Sequence, residues 1–248
     1  MLYKPTESMP NQNPQCFTCQ WRDRSAWCVL NDEDLGRLNS SKVVRTFQPG
    51  QNIYVQGDPA NGVYCVESGA VTLRKTDENG NAMVVGMAHA GEAIGYRDFF
   101  SRKEFMATAQ AVEPVRLCFV NRALVDALLR RNPALGLRFL VRISEDLNHA
   151  ETMMLQNSTL SVRTRVAHLL LALKDRYGEV EEDGTLVIRL PLSRQDIASM
   201  LGTRPETISR AIHILEESEV AQFSGRQVRV ADLDILLDEI EPYEAFVE

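Results

Sequence analysis

Glycine is distributed unevenly along this chain, and that unevenness constrains the fold more than any other feature. From Val43 to Val120, short β-type runs (Val43–Phe47, Asn52–Val55, Val63–Val66, Ala70–Lys75, Met83–Met87, Thr108–Ala111 and Arg116–Val120) alternate with turn signals. Those signals are Pro49-Gly50, Gly57-Asp58-Pro59, Ser68-Gly69, Glu78-Asn79-Gly80 and Ala90-Gly91-Glu92. Many short strands at close spacing predict an antiparallel roll or barrel. At Asn121 the texture changes. Between Pro133 and Asn157 the only glycine is Gly136 and there is no internal proline. Leu140, Ile143, Leu147, Ala150 and Met154 recur there at spacings of 3, 4, 3 and 4, flanked by Arg142, Glu145, Asp146 and Glu151. That is the apolar seam of a coiled coil, so a dimerisation helix is expected within residues 121–157. A helix laying one stripe on its own domain is the alternative.

The remaining residues, 158–248, change texture again. They contain a helix from Arg163 to Tyr177, a strand from Leu186 to Leu190, and two short helices separated by Gly202. A hairpin from Gln222 to Val230 turns at Ser224-Gly225-Arg226. Helix, turn, helix and hairpin is the layout of a winged helix-turn-helix. The expected architecture is therefore α+β. It has a flexible N-terminus with a cysteine cluster (1–30), a β-roll (31–120), the long dimerisation helix (121–157) and a winged-helix domain (158–248). The first fifteen residues, polar and carrying Pro5, Pro10 and Pro14, read as flexible. Asn31 through Leu35 reads as the capped start of a short helix.

Within the winged helix, Ser193 caps the first helix with Asp196 as its reciprocal partner, and Gly202 supplies the turn. Thr203 is expected to open the second helix, with Pro205 in its first turn and Glu206 as a capping acid. Ile208, Ile212 and Leu215 face inward, leaving Glu206, Ser209, Arg210 and His213 outward. An arginine there can grip guanine O6 and N7 bidentately, a glutamate can accept from cytosine N4, and a serine can meet thymine. The plain alternative makes Glu206 a cap and Arg210 a solvated charge. The chain carries 27 Lys plus Arg against 34 Asp plus Glu, a net charge of −7, which by itself disfavours a phosphate-rich partner. The acids, however, concentrate in Glu179–Asp183 and Asp232–Glu248. From Arg189 to Arg229, Arg189, Arg194, Arg204, Arg210, Arg226 and Arg229 outnumber Asp196, Glu206, Glu216, Glu217 and Glu219. A locally basic face on an acidic chain still binds duplex DNA, with strong salt dependence.

With Glu206-Thr207-Ile208-Ser209-Arg210, preceded by LSRQDIASMLG and followed by a hairpin, the sequence resembles the CRP/FNR family of transcription regulators, and its FNR-type branch in particular. FQPGQNIYVQGDPANGVYCVESGAVTL is similar to the family's β-roll opening, and AGEAIGYRDFF to its later Gly-Glu segment. The resemblance implies a homodimer on double-stranded DNA at a palindromic promoter site with TTGAT-type half-sites, and RNA polymerase as a protein partner. Glu206, Ser209 and Arg210 would read bases, supported by Thr203, Arg204 and Arg226. The seam Leu140, Ile143, Leu147, Ala150 and Met154 would join the protomers. The branch that binds cyclic nucleotides uses a glutamate where Tyr96 follows Gly95. It also uses an arginine where Phe105-Met106-Ala107-Thr108 stands, so a buried phosphate would lack its guanidinium partner.

The five cysteines point to a different signal. Cys16 and Cys19 share one tight turn, Cys28 follows after eight residues, and Cys118 lies late in the roll. Four thiolates are the set a 4Fe-4S iron–sulfur cluster requires. FNR-type oxygen sensors have three clustered N-terminal cysteines and a fourth before the dimerisation helix. Carried over by position, the iron ligands are Cys16, Cys19, Cys28 and Cys118, although the Cys19–Cys28 interval is longer than the family's usual one. Cys65, in Val63-Tyr64-Cys65-Val66, reads as core packing. Zinc, free thiols, or haem at His89 are the other readings of the sensor. A thiol redox enzyme is the reading from a different class, but Cys16–Cys19 lacks a βαβ setting, and no hydrolase or phosphate-loop motif occurs. The N-terminus shows no secretory signal and no run has the roughly 18 apolar residues of a membrane span, so a cytoplasmic protein without membrane contact is expected.

Overall fold

A computed structural model describes residues 15–101 and 103–240, which form two compact units, residues 15–149 and 150–240. The polar extension expected at the N-terminus falls largely on residues 1–14, outside the described residues, as does the end of the acidic C-terminal stretch.

Three 3-10 turns, Cys16–Thr18, Arg22–Arg24 and Ala26–Val29, open the first unit. A flexible segment through residue 30 is therefore corrected. Trp27 and Leu30 are buried at 5% and 3% exposure, and burying large apolar side chains holds this stretch down. Helix α1 (Asp32–Ser41) begins at Asn31, whose side chain accepts from the Asp34 N–H. The roll follows with β1 (Val43–Phe47), β2 (Asn52–Tyr54), β3 (Gly62–Ser68), β4 (Ala70–Thr76), β5 (Ala82–His89) and β6 (Ala93–Ile94). After α2 (Tyr96–Ser101) come β7 (Thr108–Ala111) and β8 (Val115–Asn121). The strands make two four-stranded antiparallel sheets, β1-β8-β3-β6 and β2-β7-β4-β5. Aromatic rings fill part of the roll interior: Tyr54 stacks on Phe105 at 3.7 Å, and Tyr64 lies 4.8 Å from Phe119. A second core joins Trp27, Leu35, Leu38, Val63, Tyr96 and Phe99 to residues of the helices that follow.

Those helices are two, not one: α3 (Arg122–Arg131) and α4 (Pro133–Thr159). The single helix expected over 121–157 is broken because Pro133 disfavours helical backbone at Asn132, which sits at φ −132° and ψ 90°. Helix α4 carries two apolar stripes. Leu135, Phe139 and Ile143, spaced by four, pack on the roll's core, while Leu137, Leu140, Val141, Leu147, Met154 and Leu155 are exposed. Of the expected seam, Leu140, Leu147, Ala150 and Met154 lie on exposed surface and Ile143 packs inward. The 3.6-residue period carries Ile143 onto the roll side.

The second unit contains α5 (Val162–Tyr177), β9 (Gly178–Val180), β10 (Leu186–Arg189), α6 (Arg194–Met200), α7 (Pro205–Glu217), β11 (Gln222–Ser224), β12 (Gln227–Val230) and α8 (Leu233–Asp238). Its antiparallel sheet runs β11-β12-β10-β9, and its core gathers Val166, Leu170, Ile188, Ile197, Ile208, Leu215 and Val228. No described helix is long and apolar enough to cross a membrane.

Candidate nucleic-acid interface and thiol site

Helix α6 starts on a complete capping box. The Ser193 hydroxyl accepts from the Asp196 N–H at 3.1 Å, and the Asp196 carboxylate accepts from the Ser193 N–H at 2.9 Å. Gly202, at φ +59°, turns the chain where a side-chain-bearing residue would be strained. Helix α7 then begins with Pro205 at its first position and Arg204 at the cap. Thr203 therefore lies one residue before the cap and does not open the helix, and Arg204 makes no side-chain capping bond. Ile208, Ala211, Ile212 and Leu215 bury one face of α7.

The opposite face presents Glu206, Ser209, Arg210 and His213 to solvent. Among the described residues Arg210 makes only a long 3.5 Å contact to the Glu206 carbonyl, Ser209 donates to the Pro205 carbonyl at 3.1 Å, and His213 lies 3.2 Å from Glu217. Arg204 and the hairpin-tip Arg226 are exposed and Thr203 is half-buried, whereas Arg229 is held by Glu181 at 2.8 Å. A helix with a short polar face beside a basic-tipped hairpin is shaped for a DNA groove and its flanking phosphates.

Arg165 is the residue that sequence reading missed in this unit. It is 8% exposed and donates to the Leu201 carbonyl at 2.6 Å and the Asn157 side chain at 2.7 Å. Burial pulls its pKa down from the usual arginine value. Its guanidinium closes the C-terminal end of α6, where unpaired carbonyls favour a cation. Its position in the polar first turn of α5, beside Arg163 and Thr164, gave no sequence signal of its burial.

In the first unit, Cys16, Cys19, Cys65 and Cys118 line one cavity of about 60 Å³, walled by Trp21, Trp27, Leu35, Leu38, Val66 and Val120. Cys65 and Cys118 are register partners on β3 and β8. Trp27 Nε1 donates to Cys65 Sγ at 2.8 Å and Lys42 Nζ to Cys16 Sγ at 3.0 Å. Burial raises the Cys19 thiol, pushes Cys118 up to about 11, and raises Cys65 further. Cys28 stands apart, with Arg138 Nη2 donating to its Sγ at 3.1 Å. The cavity thus gathers three of the four expected ligands together with Cys65, which sequence reading assigned to packing. Among the described residues, no three His, Cys, Asp or Glu side chains are drawn close enough to hold a metal ion. The donor set still fits an iron–sulfur site: four thiols share an apolar cavity, and N–H groups already point at two of the sulfurs.

This cavity connects to helix α4. Trp21 donates to the Glu67 carbonyl at 2.9 Å and covers Gly91 so closely that a Cβ there would meet its ring at 3.1 Å. The next residue, Glu92, pairs with Arg142 of α4 at 3.3 Å, and Arg142 also meets Asp146 at 3.4 Å. The Tyr96 hydroxyl donates to Asp146. Burial raises the Glu92 carboxyl against the opposing pull of Arg142. His89, the histidine considered for haem, lies 3.8 Å from the Glu92 carboxylate.

A β-roll sensor unit followed by a winged helix with an exposed recognition face defines a DNA-binding regulator of two domains. The cyclic nucleotide-binding domain matches residues 44–132 and the Crp-like helix-turn-helix domain residues 164–239. The chain is 28% identical over 229 residues to the transcriptional activator protein FnrL of Cereibacter sphaeroides, covering 91% of each. It is 26% identical over 224 residues to the anaerobic regulatory protein of Haemophilus influenzae, covering 89% of this chain and 86% of that one. The structure of FixK2 from Bradyrhizobium japonicum superposes with a TM-score of 0.70 at 26% identity, covering 79% of this chain and 96% of that one. The chain belongs to the CRP/FNR family of transcription regulators. Members of this family bind DNA and act as dimers, and these relatives are regulators rather than enzymes.

Proposed function

We propose that this protein is an FNR-type regulator of the cytoplasm. It binds a TTGAT-type palindrome as a homodimer, acts with RNA polymerase, and senses oxygen or a related oxidant through an iron–sulfur cluster. The observation that carries this reading is the gathering of cysteine thiols on one apolar cavity that is wired to α4. The name of the Haemophilus influenzae relative, an anaerobic regulatory protein, supports oxygen as the signal. Bound in the cavity, a cluster would supply one-electron chemistry sensitive to oxygen and related oxidants. Cys16, Cys19 and Cys118 would hold it, and the resemblance nominates Cys28 as the fourth ligand.

The chain's own residues carry the signal onward. Cys16 and Cys19 fix the loop that carries Trp21, and Trp21 rests on Gly91. Glu92 holds Arg142, so a change in loop order shifts the ionic grip on α4. Leu140, Leu147, Ala150 and Met154 join two copies of α4, with Ile143 bracing the helix against its own roll. At the DNA, Glu206, Ser209 and Arg210 of α7 read bases, while Thr203, Arg204 and Arg226 meet the backbone.

Anaerobic purification followed by iron, sulfide and zinc analysis with an absorption spectrum tests the sensor. About four iron and four sulfide per chain is the expected result for a 4Fe-4S site. Zinc alone, or a haem Soret band, refutes it.

A further inference from the structure

Lys42 lines the thiol cavity and sets its head group on a candidate ligand. It is half-buried and ends α1, with its backbone N–H bonded to the Leu38 carbonyl at 3.0 Å. Its Nζ donates to Cys16 Sγ at 3.0 Å and to Asn39 Oδ1 at 3.0 Å. Asn39 Oδ1 also accepts from the Cys16 N–H at 2.8 Å, and Asn39 Nδ2 donates to Gln15 at 2.8 Å. One asparagine thus holds both the backbone of the cysteine turn and the ammonium beside its sulfur.

That charge reaches past Cys16. Burial is the largest influence on Cys118 and Cys19 and raises both thiols, and the Glu67 carboxylate pushes them the same way. The Lys42 ammonium pulls both back down. Thiolates gathered in an apolar cavity repel one another and lose their water, so a fixed cation beside them lowers the cost of keeping them deprotonated together. The plain alternative is that Lys42 serves only the end of α1, where unpaired carbonyls favour a cation.

We infer that Lys42 is a positioning residue of the thiol site: its ammonium offsets the negative charge of the liganding thiolates and strengthens their hold on a metal centre. The inference rests on the cluster reading above, leaves its ligand set unchanged and adds the charge that balances it. Its test uses the metal-free full chain as wild type, Lys42→Met, Lys42→Gln and Lys42→Arg. Each is titrated with Co2+ without oxygen and read by the thiolate–cobalt absorption band. Both neutral variants should bind Co2+ about 10-fold to 100-fold more weakly. Lys42→Arg keeps the charge and should recover most of the loss. Thermal unfolding of the same proteins separates the two roles. Unchanged Co2+ affinity with a lower Tm leaves Lys42 a helix-end charge and overturns the inference. An equal loss in Lys42→Arg also overturns it, because the effect would then follow side-chain shape. In iron-loaded protein the neutral variants should bleach faster in air than wild type, since net charge and hydrogen bonds to sulfur help set the potential of such a site. Equal bleaching rates contradict the assignment. A wild type that binds Co2+ but purifies without iron or sulfide sinks the cluster reading and leaves the Co2+ comparison to decide Lys42. A wild type with no thiolate–cobalt band overturns both.

Discussion

Replacing Arg210 with alanine is the most direct probe of the recognition helix. Arg210 is exposed, and its one described contact is the 3.5 Å approach to the Glu206 carbonyl within its own helix. Alanine is the best helix former, so the thermal unfolding of the variant should match wild type or exceed it slightly. The loss should fall on DNA alone. A bidentate arginine–guanine contact contributes about 1–3 kcal/mol of discrimination, and a twofold dimer makes it once per half-site. The expected loss on a palindrome is about 2–6 kcal/mol, or about 30-fold to 20,000-fold in Kd. Fluorescence anisotropy at one fixed salt concentration, with a TTGAT palindrome and a scrambled duplex of equal length, measures it. The palindrome should lose most of its advantage while the scrambled duplex weakens only modestly. Equal weakening of both duplexes would make Arg210 a phosphate contact and refute the readout assignment.

Other perturbations reach different parts of the molecule. Arg204→Ala and Arg226→Ala each remove two phosphate contacts from a bound dimer, so the slope of log K against log salt should become shallower by about 1.8 per substitution. An unchanged slope would remove that residue from the interface. Leu147→Glu, on a side chain 58% exposed in the protomer, should weaken the dimer at least about 100-fold because it replaces apolar burial on both partners. Sedimentation at micromolar concentration should then show a folded monomer. Arg165→Met should destabilise the winged-helix unit by about 2–4 kcal/mol, since two charge-assisted hydrogen bonds vanish and the Leu201 carbonyl is left unpaired. Chemical denaturation followed by circular dichroism reads that loss. Glu113 tests the pH dependence, because burial alone raises its carboxyl above the usual range. The favourable contribution of a carboxyl raised on folding is full below its unfolded pKa and fades as pH rises through the folded value. Glu113→Gln should therefore match wild type in acid and gain a stability advantage through that window, which stays constant at higher pH. An advantage that shrinks on raising the pH would reverse the assignment.

Much of the roll was legible because turn residues, most of them glycines, separate the strands from β1 to β6, and side-chain alternation marks the interior. β1 and β7 run over the same residues that the sequence pattern predicts. The short pieces were not legible: α2 and β6 span six and two residues, too few to show a period. The fusion of α3 and α4 into one helix gave too little weight to Pro133. Ile143 matched a coiled-coil seam in spacing, but whether a stripe meets a partner or its own domain depends on tertiary packing. The thiol site shows the limit most clearly. Cys65 alternates like a core residue, and only the pairing of β3 with β8 brings it opposite Cys118. Strand register between residues 53 positions apart is not written in local periodicity. In the second unit, by contrast, the capping box, Gly202 and the outward face of α7 were all visible locally.

The exposed stripe on α4 also fixes how promoter occupancy responds to the amount of protein. Leu137, Leu140, Val141, Leu147, Met154 and Leu155 are exposed in a single protomer, and in the family's dimers a second copy covers such a stripe along a twofold axis. While free chain stays below the dimer dissociation constant, the DNA-binding species grows with the square of its concentration. A twofold change in synthesis then becomes a roughly fourfold change in occupancy of weak sites. On the sensing role proposed above, a shift in the Glu92–Arg142 grip that alters α4 would move this threshold and turn a modest redox signal into a steep transcriptional response.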